Sequence, residues 1–359
     1  MSSAAPVRFT PDVETVLPDE AKTIAGLNET FDTILETTAK DGGHAIRAVH
    51  AKAHGILEGT LTVAEGLPPE LAQGLFARPG AHKVYLRLST NAGDILPDAI
   101  SLPRGLAMKV LDVEGERLPG AAGTTQDFIM VNGPVFQTKT AEKFHGNLKM
   151  LAKTTDRLEG TKVVLSSVLR GVNTALEAVG IESSAIQSLG GAPNVDPLGE
   201  TYFSVTPFRY GDYIAKFSIV PVAGDLTALT GRTIDASGRE NAIRETVRSE
   251  MAAISGRWEF RVQLCRDLEA QPVEDPTVEW SAEEAPFQTV AIIEASPQDS
   301  WDAARVQAVD EEMHFSIWTG LAAHRPLGNI NRARKDTYAH SAEFRARFNG
   351  CPMHEPSGG

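Results

Sequence analysis

Hydrophobic and polar positions alternate with a period of two over several short segments. In 83–90, Val84, Leu86 and Leu88 fall to one side and Tyr85, Arg87 and Ser89 to the other. Segments 105–113, 213–222, 257–265 and 287–295 behave similarly, and all five are predicted strands. In 257–265 the alternation is strict, with Trp258, Phe260, Val262 and Leu264 against Arg257, Glu259, Arg261 and Gln263. A strand with one face toward solvent favours an antiparallel sheet. Helical tracts are predicted up to about residue 40, after a polar, proline-containing N-terminal arm, and over 140–160, 161–180, 238–255 and 329–348. The longest loop-like segment is 183–202, with no shift in composition beside it. With neither a βαβ rhythm nor a fixed-period repeat, the predicted class is α+β, built on an antiparallel barrel or sheet. The expected organisation is an arm and helix over 1–40, a single domain over 41–348 and a flexible tail over 349–359.

Composition narrows the partners. The chain has 359 residues, 42% of them hydrophobic, enough to bury a cofactor. Its 34 Lys+Arg against 47 Asp+Glu give a net charge of −13, which disfavours phosphate backbones and anionic lipid surfaces. No nucleic-acid or membrane partner is expected. Cys265 and Cys351 form no CxxC or metal-ligand spacing. The start has no basic region followed by an apolar one, and no run of about 18 apolar residues occurs, so a cytoplasmic location is expected.

The chemistry is concentrated in 331–345, where Arg334 precedes Tyr338 by four residues and Arg345 follows it by seven. At about 100° per helical residue, all three return to one face. Such a tyrosine is either a core residue with a hydrogen-bonded hydroxyl or a phenolate ligand to a metal. A free phenol ionises near pH 10, so ligation calls for a neighbouring positive charge, which Arg334 supplies. The pair of arginines also calls for an anionic partner. His54 stands four residues after His50, but the residues between hold no carboxylate of the kind a zinc-protease motif needs. The Cys-Pro dipeptide at 351–352 is expected to lie in the disordered tail.

Five stretches in order resemble the haem catalases. Arg47, Val49, His50, Ala51 and Lys52 resemble the distal-histidine segment of that family. Segments 84–94 and 103–115 resemble its R-F-S-T-x-x-G and R-G-F-A-x-K-F stretches, 126–144 follows where it has D-L-x-G-N-N-x-P-x-F, and Arg334-x3-Tyr338-x6-Arg345 reproduces its proximal pattern. The resemblance covers most of the chain, which is much shorter than ordinary catalases and similar to a minimal catalase-related peroxidase.

The resemblance implies an antiparallel β-barrel core of the catalase type with helical decorations, 41–348 forming a haem-binding domain, and haem b as cofactor with Tyr338 on the iron. It makes His50 the distal acid/base and Ser89 the residue that fixes its tautomer. Arg47, Arg87 and Arg345 become propionate anchors, Arg334 the partner of Tyr338, and Val49, Phe136 and Phe144 packing residues beside the haem. Where the family has a distal asparagine, an ungapped alignment places Val131, with Asn132 next. Valine donates no hydrogen bond, so either His50 works alone or a local rearrangement brings Asn132 in. The more apolar pocket would tolerate alkyl hydroperoxides.

The expected activity is therefore a haem peroxidase acting on hydrogen peroxide or organic hydroperoxides with an unidentified electron donor, and with weak catalase activity. A homo-oligomer is compatible with this reading. The alternatives are a fatty acid hydroperoxide isomerase of the allene oxide synthase type, a haem-binding protein without turnover, and a cofactor-free β-rich binding protein.

Overall fold

The structure, a computed structural model, describes residues 4–152 and 193–356. Its strands are β1 (Ala53–Val63), β2 (Gly80–Thr90), β3 (Arg104–Val110), β4 (Gln126–Val131), β5 (Tyr202–Phe203), β6 (Phe208–Tyr210), β7 (Tyr213–Pro221), β8 (Gly256–Leu264) and β9 (Gln288–Ala295). All named pairings are antiparallel. Because the short β5 pairs with both β4 and β7, the order β4-β3-β2-β1-β9-β8-β7-β5 closes into an eight-stranded barrel, and β6 extends β7 as a hairpin. Closure removes the exposed edges that an open sheet would leave.

The predicted inward row of β2 is correct. Val84, Leu86 and Leu88 join Leu57, Leu106, Met108, Phe128, Phe217 and Phe260 in the barrel core. Phe76 fills the centre, its ring stacked 5.1 Å from that of Phe260. On the outward side, Arg87 and Ser89 are also buried, at 2% and 3% exposure, because further structure covers that wall of the barrel.

The cover is helical. The helices are α1 (Glu20–Gly42), α2 (Ala141–Ala152), α3 (Ala242–Met251) and α4 (Asn329–Asn349). Leu27, Phe31 and Ile34 of α1, Leu148 of α2 and Ile330, Ala333 and Phe344 of α4 form one apolar cluster. Both α1 and α4 stop at a glycine, Gly43 and Gly350, each with φ of 65°, a conformation that a side chain would penalise. The start of α4 is pinned by Arg332, which reaches Glu14, Glu20 and Glu274 and so ties the N-terminal arm to the domain.

The segment 43–52 is irregular, and His54 lies in β1, so the helical i, i+4 spacing of His50 and His54 does not exist. The described part of the expected tail is docked: His354 donates its amide to Glu312, and the Glu355 carboxylate meets the buried ammonium of Lys109 at 3.0 Å. A buried lysine needs such partners, and the tail supplies one of them beside Asp127. The helix predicted at 161–180, with the adjoining parts of 140–160 and 183–202, lies outside the described residues.

Candidate functional site

The outward faces of β2, β3 and β4 form a wall in two rows. Sheet register places Arg87 beside Ala107 and Ile129, and Ser89 beside Gly105 and Val131. The small residues of β3 leave room in front of the wall. A Cβ on Gly105 would collide with the imidazole of His50 and crowd the Ser89 hydroxyl at 3.0 Å, so glycine is what lets the ring lie against the strand.

His50 is held in an unusual backbone state, with φ of 53°. Its carbonyl accepts from Arg87 Nη1 at 2.9 Å, and the next carbonyl, that of Ala51, accepts from Arg87 Nη2 at 3.1 Å. Strain of this sort persists only where surrounding contacts enforce it. His50 Nδ1 lies 3.1 Å from Ser89 Oγ, whose hydroxyl can in turn reach the Gly105 carbonyl. That arrangement assigns the proton to Nδ1 and leaves the lone pair on Nε2. Burial first, then the charges of Arg87 and Arg334, push the imidazole down to about 3, so it is neutral across physiological pH.

Below this histidine, three guanidiniums converge on Asp310, two on its carboxylate and one on its main-chain carbonyl. Asp310 Oδ1 accepts from Arg47 Nη1 at 2.5 Å and from Arg87 Nε at 2.8 Å. Arg345 Nη2 donates to the carbonyls of Asp310 and Glu311, at 2.8 and 3.0 Å. These acceptors belong to Val306–Glu311, a wide π-type turn. Burial pushes the Asp310 carboxyl up, but Arg87 and Arg47 overcome it and hold it at about 2. Glu311 turns to His44 instead, at 2.7 Å. Three guanidiniums against the Asp310 carboxylate, with the Glu311 carboxylate acting on Arg47 and Arg345 from further away, leave a positive surplus. At this cluster, Arg345 Nε is buried without a partner among the described residues. A positive surplus with an orphaned guanidinium donor in a buried place marks a binding site for an anion.

Helix α4 forms the facing wall. Arg334 Nη2 stands 3.3 Å from the Tyr338 hydroxyl and its guanidinium 5.3 Å from the ring centre. The enclosed space has an inner compartment of about 70 Å³, lined by Arg47, His50, Arg87, Ser89, Tyr338 and Arg345. The outer compartment, of about 320 Å³, is bordered by Val131, Asn132, Phe136, Phe144 and Arg334. Val49, His50, Ile129 and Tyr338 line both. Every sequence-predicted site residue therefore borders one continuous cavity.

Asn132 lies there with its amide already engaged. Its Oδ1 accepts the Arg104 amide at 2.8 Å, and its Nδ2 donates to Glu200 Oε2 at 2.9 Å. Neither bond is to His50. Sequence reasoning missed Asp310, Glu200 and Gly105. Asp310 sits in an acidic run that reads as a solvated surface, whereas Gly105 could have been flagged as a glycine interrupting a strand.

No family model matches the chain, and no curated protein matches it in sequence. Solved structures do. The chain is similar to a fungal catalase, with a TM-score of 0.60 and 15% identity over 89% of this chain and 64% of that one. It is similar to catalase A from Saccharomyces cerevisiae, with a TM-score of 0.60 and 16% identity over 89% of this chain and 66% of that one. A bacterial catalase gives a TM-score of 0.61 and 17% identity over 100% of this chain and 67% of that one. The fold is catalase-like, and the chain spans about two thirds of the length of these catalases.

Proposed function

We propose that the chain is a haem-dependent peroxidase that reduces hydrogen peroxide or organic hydroperoxides. One observation carries the reading: a single cavity has the His50–Ser89 pair on one wall, the Tyr338–Arg334 pair on the other, and a buried surplus of positive charge at its inner end. Haem b bears two propionates, anions of the kind that surplus calls for, and the orphaned Arg345 Nε is a donor of the kind a propionate accepts from. Arg47, Arg87 and Arg345 would hold the propionates, and the Tyr338 oxygen, beside Arg334, would hold the iron. When bound, haem b would supply a redox-active iron able to pass two electrons from a donor to the peroxide.

The chain's own residues move the protons. His50 Nε2 takes the proton from one peroxide oxygen and returns it to the departing one, while Ser89 holds the ring in the tautomer that permits this. Val131, beside Gly105, offers no hydrogen bond to a peroxide, and Asn132 is engaged elsewhere. The peroxide therefore loses a polarising donor and gains apolar surface, which favours alkyl hydroperoxides over fast disproportionation of hydrogen peroxide. The test is turnover by haem-loaded protein of hydrogen peroxide and tert-butyl hydroperoxide with a chromogenic reductant. Consumption of both, with catalase activity weak, is expected; consumption of neither contradicts the proposal.

A further inference from the structure

Building on the peroxidase reading, we propose that Glu200, oriented by Asn132, docks the reductant, and that the reductant is a small neutral aromatic bearing an O–H or N–H, a phenol or an aromatic amine. Glu200 stands just before β5, beside the end of β4, where Val131 pairs with Phe203. Its position is enforced. The backbone of Arg104 donates to Asn132 Oδ1 and accepts from the Asn132 amide, which leaves Asn132 Nδ2 free only toward Glu200. Glu200 Oε2 takes that bond, and Oε1 takes none among the described residues.

Glu200 is the one carboxylate among the described residues lining the outer compartment, and Phe136, Phe144, Val135 and Ile330 line the same compartment with apolar surface. The Phe136 and Phe144 rings lie 5.5 Å apart and make an aromatic shelf. A spare acceptor in an apolar chamber pairs best with a ligand that carries one donor on an apolar ring. Burial raises the Glu200 carboxyl against the pull of Asn132 and Arg104, which makes it a better proton acceptor than a surface glutamate. The same carboxylate disfavours a second carboxylate placed directly beside it.

The stoichiometry is balanced. Each of two phenols gives up one electron and one proton, and the proton passes through Glu200 to water. One peroxide O–O bond breaks and takes up both equivalents: ROOH + 2 ArOH gives ROH + H2O + 2 ArO radicals.

The experiment compares wild type with Glu200→Gln. The variant keeps an oxygen for Asn132 but turns an N–H2 toward the chamber. Phenol, aniline and benzoate are titrated by ligand-observed NMR against haem-loaded protein, without peroxide, and phenol oxidation is then followed in the same protein. The expected result is that Glu200→Gln raises both the Kd and the KM for phenol about tenfold, with a smaller change in kcat, and gains benzoate binding. An unchanged Kd and KM for phenol, or equal binding of benzoate by wild type, overturns the proposal. Absence of peroxide consumption by wild type contradicts the peroxidase reading instead, and the titration, which needs no peroxide, keeps the two failures apart.

Discussion

His50 shows how much a single residue's setting adds to its identity. Its pairing with Ser89 was legible, because motif order and the i, i+2 relation of Arg87 and Ser89 put both groups on one strand face. The positive φ of His50 and the need for Gly105 were not, since both depend on a strand that arrives 55 residues later and lies flat against the ring. Asp310 was equally hidden: nothing in an acidic run announces that three arginines from distant segments will close over one of its members. With the imidazole neutral and aimed into the cavity, His50→Ala should lower kcat/KM for either peroxide by about two orders of magnitude or more. Steady-state kinetics with a haem titration checks this. A rate within a few fold of wild type would take His50 out of the mechanism.

Among the elements, α4 was the most readable. Offsets of four and seven residues from Tyr338 return to one helical face, and Arg334, Tyr338 and Arg345 do line the cavity together. Strand β1 was the least readable, because much of it is buried on both faces and the period-two signal is lost. The two-residue β5 is too short for any pattern, yet it closes the barrel and sets Val131 opposite Phe203. The turn Val306–Glu311 matters through Asp310, which compensates part of a buried positive cluster. Asp310→Asn leaves three guanidiniums without their main counter-charge, and ligand-free protein should lose about 3 kcal/mol in urea unfolding. A loss below about 0.5 kcal/mol would show that the cluster does not depend on it.

For the whole molecule, buried titratable groups set the response to acid. His324 is fully buried beside Phe76, accepts the Leu75 amide at 2.9 Å and is pushed down to about 3 by burial. His50 is depressed to a similar value. For both, the unfolded chain binds the proton more readily, so their stabilisation is complete above about pH 6.5 and is lost as pH falls toward 3. Asp127 works the other way. Burial lifts it to about 7, so its protonated form favours folding and that contribution disappears as pH rises from about 4 through 7. Two imidazoles outweigh one carboxyl, and the urea midpoint of the ligand-free protein should fall between pH 6.5 and pH 4. His324→Gln should flatten that slope, with His324 accounting for up to about 4 kcal/mol over its full range. A midpoint that holds steady or rises on acidification contradicts this balance. At the same scale, α+β class and antiparallel pairing were legible from alternation. Barrel closure and the docked tail were not, because both rest on contacts between distant segments.

The central claim is that one cavity binds haem through Tyr338 and uses it on peroxides. It is tested most directly by the absorption spectrum of haem-supplemented wild type and Tyr338→Phe, recorded before and during addition of hydrogen peroxide. The account predicts a ferric haem spectrum that peroxide changes in wild type, and a different resting spectrum in the variant. No Soret band, or one indifferent to the substitution, would contradict it.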